Sequence, residues 1–396
     1  MPSYPKVALV FKTRFEENQR ILKAISNFNR FHENWTAFVD DQAVSQSNPS
    51  WLLKKRWDGV ITKHTAPDLI SSCVERSIPV VDLSDDDNHY SNVPKIRPDN
   101  VALGHKGAEY FKDKGYQHYA FCGFSSEDWA RDREDGFTEA LKLSGHTLFT
   151  FDSAYPKVNE PEWEETEERK IRDWLKNLPN PLALMCCNDL RALQVINACR
   201  DLELQVPEDV AILGVNNETV RCELSIPQLS SIPINTEYYG HMAAKAITGM
   251  ITGKDPEFRE LYIDPLDVVS RRSTDALCID DKQIAAALHI IKRDACSGLS
   301  VGQIVDQMHV SRSMLERRFR KYLGKSPQME IRTVQMQKIK QLLRETNYTL
   351  AHIADLAGFD HPEYMSVVFK KMMHLTPIQY RKQTGFQNRL SNRQVL

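Results

Sequence analysis

The C-terminal part of the chain contains one sequence pattern twice, about fifty residues apart. Each copy predicts a short helix, a tight turn and a second helix, over the segments 304–327 and 353–377. In both copies a proline follows a phenylalanine, Phe319 or Phe369, at the same spacing. A doubled unit is too short for a solenoid, but it can place two helices in successive major grooves on one face of DNA.

Charge divides the chain into an acidic body and a basic tail. From Gln283 to the end there are 18 basic and 8 acidic residues, a net charge of +10, although the whole chain has a net charge of −2. The preceding residues therefore carry a net charge of −12. This asymmetry predicts that only the tail meets a polyanion, and the alternative is that the two parts differ by chance.

Cysteine usage and hydropathy indicate a cytoplasmic protein. The eight cysteines show no metal-ligand spacing, so we expect reduced thiols and no metal site. The residues after Met1 run directly into a strand, so no signal peptide is expected. No apolar stretch approaches the ~20 residues of a membrane span, so no membrane association is expected.

The first 270 or so residues alternate between strand and helix patterns. Short apolar runs predict eight strands, which we place at 7–11, 36–39, 59–61, 79–83, 119–123, 148–151, 183–186 and 210–215. This rhythm, which restarts after Asn100, predicts two lobes, each a doubly wound parallel sheet with helices on both faces. Ligands of such folds bind at the carboxyl ends of the strands, so we expect a site in the cleft between the lobes.

Several motifs in this region resemble the effector domain of the LacI/GalR repressors over residues 6–272. In family order they are Asp99-Asn100-x-x-x-Gly104-x-x-x-Ala108, Arg133-x-x-Gly136-Phe137-x-x-Ala140-Leu141, Asn188-Asp189 and Leu213-Gly214-Val215-Asn216-Asn217. The resemblance implies a two-lobed, periplasmic-binding-protein-like sugar sensor. Asn216 and Asn217 stand where that family commonly has aspartates, which leaves the exact effector open.

The C-terminal domain resembles the AraC/XylS family over about residues 284–385. The doubled helix-turn-helix and a long connecting helix at about 327–344 carry the resemblance, together with the pattern Gly358-Phe359…Phe369-Lys370-Lys371…Thr376-Pro377…Tyr380-Arg381. The predicted domains are a sensor over 1–272 (lobes split near 99 and recrossing near 235 and 265), a linker over 273–283, and an all-α DNA-binding domain over 284–390 with helix-turn-helix units near 300–321 and 349–371.

The predicted sugar-contacting residues lie at strand ends or helix starts that face the cleft. Sugar hydroxyls need planar, bidentate polar groups in a dry surround, with aromatic rings for stacking. The candidates are Phe15, Asp99, Trp129, Arg133, Asn188, Asp189, Asn216, Asn217 and Glu218. The alternatives are that Asp99 and Asp189 only cap helices, and that Phe15 and Trp129 do not stack on a sugar.

The predicted DNA contacts lie on the second helix of each helix-turn-helix unit. They are Arg312, Ser313, Glu316, Arg317, Arg320, His361, Pro362, Glu363, Ser366, Lys370 and Lys371. By motif position Ser313, Glu316 and Arg317 match base-contacting sites of the family. Arginine pairs with guanine and glutamate with cytosine.

Other residues of these two helices have simpler predicted roles. Ser311 is expected to cap the first recognition helix, and Leu315, Phe319 and Tyr322 are expected in the core. The alternative for Glu316 and Arg317 is a solvated charged face, and His361 is as well explained as a neighbour of a helix cap. Where some relatives carry arginine this chain has Val367, which points to contacts by shape or with phosphates in the second unit.

Together, the two resemblances imply a sugar-responsive, sequence-specific transcriptional activator of pentose catabolic genes. They imply D-xylose as effector, operator DNA and RNA polymerase as partners, a homodimer and no cofactor. No catalytic motif appears: the chain lacks a Gly-x-Ser-x-Gly elbow, a phosphate loop and a His-Glu-x-x-His pair. The alternatives are a sugar-processing enzyme of a doubly wound fold and a DNA-binding protein that responds to no ligand.

Overall fold

The computed structural model describes residues 4–32, 35–64, 66–142, 146–155, 161–275, 281–373 and 375–384. The chain forms two compact units, Met1–Ala276 and Leu277–Leu396. Each unit is described by itself.

The N-terminal unit is built from alternating strands and helices. Its strands are β1 (Lys6–Val10), β2 (Thr36–Asp40), β3 (Gly59–Thr62), β4 (Val80–Asp82), β5 (Lys95–Pro98), β6 (His118–Phe124), β7 (Thr147–Ser153), β8 (Leu182–Cys186), β9 (Val210–Val215), β10 (Ser230–Ile232) and β11 (Glu260–Ile263). Its helices are α1 (Glu16–His32), α2 (Val44–Ser47), α3 (Pro49–Leu52), α4 (Pro67–Glu75), α5 (Asn100–Lys112), α6 (Asp128–Lys142), α7 (Pro161–Leu175), α8 (Asp189–Asp201), α9 (Thr219–Leu224) and α10 (Thr236–Ile251).

These strands form two parallel sheets, one in each lobe. The first lobe has the order β11-β5-β4-β3-β1-β2, and the second has the order β10-β9-β8-β6-β7. Strand β1 pairs in parallel with both β2 and β3, and β6 pairs in parallel with both β7 and β8. The residues of β3, β8 and β9 are buried throughout, because helices cover both faces of each sheet. The predicted fold class is confirmed.

The chain passes between the lobes three times, and the passages are hydrogen-bonded to one another. The backbone N–H of Asp99 donates to the carbonyl oxygen of Ile263 at 3.0 Å, and that of Leu266 donates to Pro233 at 3.0 Å. Strand β11 thus returns to the first sheet beside β5, and helix α10 packs on α1.

Three strands, β5, β10 and β11, were not predicted from the sequence. Strand β5 has the sequence Lys-Ile-Arg-Pro and does not look like a core strand, yet all four residues are buried. Its two cations are neutralised in place. The Lys95 ammonium lies 3.3 Å from Asp82 and 2.8 Å from Asp86, and the Arg97 guanidinium lies 2.8 Å from Asp87. These two charged side chains can be buried because aspartates from outside the strand pair with them.

Helices α5 and α6 of the second lobe touch backbone to backbone at two glycines. A Cβ atom added at Gly104 would lie 2.2 Å from the carbonyl oxygen of Arg133, and one added at Gly136 would lie 2.1 Å from that of Val101. Only glycine fits at this distance. The close approach sets the position of Arg133 relative to α5.

The described part of the C-terminal unit consists of seven α-helices and a short 3-10 helix, Ala295–Ser297. The α-helices are α11 (Lys282–Asp294), α12 (Val301–Met308), α13 (Arg312–Leu323), α14 (Pro327–Glu345), α15 (Leu350–Leu356), α16 (Pro362–Met373) and α17 (Pro377–Thr384). One apolar core forms around Phe319 with α11 to α13, and a second forms around Phe369 with α15 to α17. Helix α14 contributes Ile331 to the first core and Ile339 to the second, so the doubled sequence pattern corresponds to two packed helix-turn-helix units.

Local signals of the first helix-turn-helix unit behave as predicted, with one exception. The Ser311 hydroxyl accepts a hydrogen bond from the backbone N–H of Met314 at 3.3 Å and caps α13, and Leu315 and Phe319 are buried. Tyr322 was expected in the core, and that prediction was wrong. Its side chain is 37% exposed, and the Lys321 ammonium lies 4.9 Å from its ring centroid. A tyrosine can leave its ring edge in water because its hydroxyl is polar.

A buried amide fixes the two helix-turn-helix units relative to each other. Gln335 of α14 donates from Nε2 to the carbonyl oxygens of Ala295 at 3.0 Å and Gly358 at 3.3 Å. Gly358 has a φ of +73°, and an added Cβ would lie 2.7 Å from the backbone nitrogen of Gly298. The turn of the second unit therefore lies directly against the end of the first helical segment.

The predicted linker overlaps the N-terminal unit at its start. Ser273 and Thr274 are buried. The Ser273 hydroxyl donates to the Ile212 carbonyl at 2.7 Å, and the Thr274 hydroxyl lies 2.7 Å from those of Tyr110 and Ser230. These residues belong to the second lobe because their hydroxyls are satisfied there. Residues 276–280 of the predicted linker lie outside the described residues.

The contact between α5 and α6 predicts a stability cost for any side chain at Gly104. Gly104→Ala should lower the free energy of unfolding by ~1–3 kcal/mol, because the methyl group would force the two helices apart. Gly249→Ala is the matched control, since its added Cβ would meet nothing closer than 4.0 Å. Chemical denaturation followed by circular dichroism measures both. Equal stability of the two variants would contradict the packing described here.

Candidate functional site

A buried arginine lies where three elements of the second lobe meet the cleft. Arg133 of α6 is 2% exposed. Its Nε donates to the side-chain oxygen of Asn100, the first residue of α5, at 2.9 Å. Its Nη1 donates to the backbone oxygen of Cys187, just after β8, at 2.6 Å. Burial lowers the pKa of Arg133, although nearby carboxylates, Asp85 first among them, oppose that effect.

An ion pair in the first lobe supplies the second cation of the cleft. Lys63 follows β3 directly, and its ammonium lies 3.3 Å from the carboxylate of Glu17 and 3.5 Å from the hydroxyl of Tyr239. Burial, the largest single influence, lowers the pKa of Lys63, but Glu17, Tyr239 and Asp85 together outweigh burial, so the net pKa is raised. Lys63 is therefore a charged donor at neutral pH.

The carboxylate of Asp85, in the loop after β4, interacts electrostatically with both of these cations. Asp85 accepts a hydrogen bond from the side-chain amide of Asn100 at 2.8 Å. Burial raises the pKa of Asp85, whereas the charges of Lys63 and Arg133 work against that rise. Asn100 thus connects Asp85 to Arg133, because its amide donates to one and its oxygen accepts from the other.

The loop after β9 carries Asn216, Asn217 and Glu218, each in a different environment. Asn216 and Asn217 both have positive φ angles, 99° and 49°. The side-chain oxygen of Asn216 is buried without a hydrogen-bond partner among the described residues. That of Asn217 accepts from the Arg271 guanidinium at 2.8 Å, and the Glu218 carboxylate pairs with Arg221 at 2.8 Å.

Asp189 holds this loop in place by a hydrogen bond to its backbone. Its two carboxylate oxygens accept from the Ser231 hydroxyl at 2.6 Å and from the backbone N–H of Glu218 at 2.7 Å. Burial raises its pKa to about 7, despite these hydrogen bonds. Both oxygens are committed to the protein, so the carboxylate orients the loop.

Two other predicted site residues cap helices. The Asp99 side chain accepts from the backbone N–H of Ala102 at 2.8 Å and caps α5. The cap of α8 is Asn188, which accepts from the N–H of Arg191 at 2.9 Å, and not Asp189. Asp99 is thus a helix cap, as the alternative stated. Asp189 is not, because Asn188 caps α8 in its place.

The two aromatic candidates lie in different lobes. Trp129 stacks on Arg133, whose guanidinium carbon lies 4.8 Å from the ring centroid. Phe15 lies 5.6 Å from the His64 ring. Burial, together with the nearby Lys63 charge, lowers the pKa of His64 to about 3, so this imidazole is neutral.

Sequence reasoning missed Glu17, Lys63, Asp85 and Asn100. Lys63 and Asn100 come within two residues of the ends of β3 and β5, and Asp85 lies three residues beyond β4. Because the carboxyl ends of parallel strands meet at one edge, the first polar residues after each strand were a usable signal. This signal depends on recognising the strand, and the charged sequence of β5 does not indicate one.

The first recognition helix, α13, presents a basic surface. Arg312, Ser313, Arg317 and Arg320 are exposed. Glu316 is half-buried and accepts from Arg312 Nε at 3.2 Å within the same helix. The glutamate is therefore occupied in the unbound protein, whereas the described structure gives Arg317 no ion pair.

The second recognition helix, α16, offers fewer polar side chains. His361, Glu363, Lys370 and Lys371 are exposed, and Pro362 is its first residue. The Ser366 hydroxyl donates to the Pro362 carbonyl at 2.8 Å, so its proton is used within the helix.

Neither a metal site nor a membrane span emerges from the described residues. Within them, no three His, Cys, Asp or Glu side chains are grouped so that they could hold a metal ion. No helix in the same part of the chain is both long and apolar enough to cross a membrane.

Comparison with known proteins agrees with this architecture. A family model described as "Periplasmic binding protein-like domain" matches residues 108–274, and one described as "Helix-turn-helix domain" matches residues 304–383. The chain is 28% identical over 385 residues to the "Xylose operon regulatory protein" of Haemophilus influenzae (strain ATCC 51907 / DSM 11121 / KW20 / Rd), covering 96% of this chain and 98% of that one. It is 27% identical over 389 residues to the protein of that name from Escherichia coli (strain K12), covering 95% and 96%.

A solved structure described as "xylose-binding transcription activator xylR" matches with a TM-score of 0.59 at 25% identity, covering 97% of this chain and 99% of that one. These relatives are regulators and not enzymes, which confirms the functional class expected from the sequence. The chain is a DNA-binding transcription regulator, and over nearly its whole length it is similar to proteins named as xylose operon regulatory proteins.

Proposed function

We propose that the cleft binds an uncharged monosaccharide, D-xylose, and that binding changes how the C-terminal unit engages an operator. The observation that carries the proposal is the charge-balanced polar cluster of the cleft, in which Lys63 and Arg133 face Glu17 and Asp85. The names of the full-length relatives supply the sugar.

The balance of charge favours a neutral ligand. Lys63 is paired with Glu17, and the charge of Arg133 is opposed by that of Asp85. Neither cation is therefore available to neutralise a phosphate or carboxylate group of a ligand. A sugar hydroxyl can donate to a carboxylate and accept from a cation at once. The cluster therefore suits a polyol better than a sugar phosphate or a sugar acid.

Unused hydrogen-bonding capacity supports a ligand in this cleft. Arg133 commits Nε and Nη1 to protein acceptors, which leaves Nη2 for a hydroxyl. The side-chain oxygen of Asn216 is an unpaired buried acceptor among the described residues. A buried acceptor without a partner costs ~1–3 kcal/mol, so a ligand hydroxyl that donates to it recovers that cost.

Contacts between α1 and the loop after β9 provide a means of holding the lobes closed. The Arg20 guanidinium donates to the Asn217 carbonyl at 2.7 Å and to the Thr219 hydroxyl at 2.6 Å. Glu16 accepts from the Thr219 backbone N–H at 2.6 Å and also pairs with Arg20. These bonds cross between the lobes, so they exist only while the cleft is closed.

For DNA, we propose base contacts by α13 and a mixture of base and phosphate contacts by α16. Arg317 is suited to pair with guanine, and Ser313 and Glu316 lie on the same helix. Lys370 and Lys371 are suited to phosphates, because lysines at the end of a recognition helix meet the backbone of either strand. The remaining proposed contacts are Arg312, Arg320, His361, Pro362, Glu363 and Ser366.

We further propose that the regulator acts in the cytoplasm as a homodimer that contacts RNA polymerase. A groove of about 780 Å³ on the N-terminal unit, lined by both charged and apolar side chains, supports self-association. Three of its lining residues, Val220, Leu224 and Ile226, are 66%, 76% and 83% exposed, which is unusual for an isolated protein. The described cysteines are free, in keeping with a reducing compartment.

Arg133→Ala should weaken sugar binding at least about tenfold, because it removes a charged hydrogen bond in a dry cleft. Isothermal titration against D-xylose, other pentoses, hexoses and a pentose phosphate measures the affinity and its selectivity. Arg131→Ala is the matched control on the same helix, since Arg131 is exposed and its partners in the described structure, Asp128 and the Ser125 carbonyl, are both local. Unchanged affinity in a folded Arg133→Ala protein, or preference for the phosphate, would refute the assignment.

Arg20→Ala should weaken sugar binding about three- to tenfold, mainly by faster dissociation, because it removes bonds that exist in the closed form alone. Stopped-flow measurement of sugar release tests this. Arg172→Ala is the control, because its partner Asp201 lies in the same lobe and away from the cleft loop. If both variants release the sugar at the unmodified protein's rate, the contacts of Arg20 do not hold the cleft.

A further inference from the structure

The two helix-turn-helix units place different chemistry at equivalent positions. An offset of fifty residues, set by Phe319 and Phe369, relates α13 to α16. Under this offset Arg317 corresponds to Val367. The first unit has a long cation there, and the second has a branched apolar side chain.

Val367 lies on the surface and not in the core of its unit. It is 65% exposed, whereas its neighbours on the opposite face of α16, Met365 and Phe369, are fully buried. The stripe Glu363–Val367–Lys370 follows the i, i+4, i+7 spacing of one helix face and corresponds to Ser313–Arg317–Arg320 of α13. Val367 is therefore at the centre of the face that the first unit uses for its arginine.

Glu363 and Lys370 are exposed polar side chains at the two ends of this stripe, but its centre offers little for hydrogen bonding to bases. Pro362 has no N–H, and the Ser366 hydroxyl donates to the Pro362 carbonyl at 2.8 Å. Tyr364 is held to one side by Arg332, which donates to its hydroxyl at 3.2 Å and lies 5.3 Å from its ring centroid. At the centre of the face, the exposed group is therefore the pair of Val367 methyl groups.

The major groove contains one apolar group, the C5 methyl of thymine. We propose that Val367 contacts a thymine methyl and that α16 thereby specifies a T·A pair where α13 specifies a pair through Arg317. This inference rests on the proposed placement of both helices in the major groove. It adds an apolar base contact to the contacts by shape or with phosphates that are expected of the second unit.

The test exploits deoxyuridine, which is thymine without its methyl. An operator is first selected from random duplexes with the full-length protein, and each thymine is then replaced singly by deoxyuridine. One replacement should weaken binding about fourfold, the effect of withdrawing one methyl-sized apolar group from contact. In Val367→Ala, which lacks both γ-methyl groups, the same replacement should weaken binding by less than about twofold. Val74→Ala, which trims an exposed valine of helix α4 in the N-terminal unit, should behave like the unmodified protein.

The outcomes separate this inference from the proposed function. If no thymine depends on Val367 while Arg317→Ala still relaxes the preference for one guanine, the regulator binds DNA as proposed and the thymine contact is wrong. If neither variant changes sequence preference, the placement of both helices is wrong and the inference fails with it. A selected operator without any methyl-dependent thymine also overturns it.

Discussion

The N-terminal unit depends on the burial of one guanidinium. Arg133 is almost completely removed from water, and a charge in that position is tolerated only when it is paired and hydrogen-bonded. Asn100 and the carbonyl of Cys187 supply the bonds, and Asp85 supplies the opposing charge. Helix α6 reaches these partners because Gly104 and Gly136 let it touch α5. The fold and the candidate site are thus one arrangement, since the packing that builds the lobe also positions the charge.

The same arrangement suggests how a sugar signal leaves the sensor. The contacts of Glu16 and Arg20 with the loop after β9 join the two lobes, and that loop is held by Asp189 and Ser231 of the second lobe. The last buried residues of the N-terminal unit are anchored to β9, β10 and α5 of that lobe. The chain therefore leaves the N-terminal unit from the second lobe, the lobe that we propose moves relative to the first when the cleft closes. A ligand that prefers the closed form shifts the population, and the shift reaches the exit of the chain.

Much of this was predictable from sequence, and what was missed has physical causes. Strand–helix alternation and the doubled pattern were sufficient for the fold class, because both signals are local. Strand β5 was missed because Lys95 and Arg97 look exposed until their partners, which come from other segments, are known. Motif order identified Arg133, but its partner Asp85 lies in a run of three aspartates that resembles any solvated loop. The exposed position of Val367 on α16 could be found only from the structure, because a valine in a helix pattern is ordinarily a core residue.

The central claim, that sugar in the cleft and operator at the C-terminal unit are coupled, is tested most directly by measuring both affinities in one thermodynamic cycle. Operator affinity is measured with and without saturating D-xylose, and D-xylose affinity is measured with and without operator. The account predicts that each ligand changes the affinity of the other by the same factor, typically about 5- to 150-fold, because coupling free energy is reciprocal. An operator affinity that is unaffected by bound sugar would contradict the account.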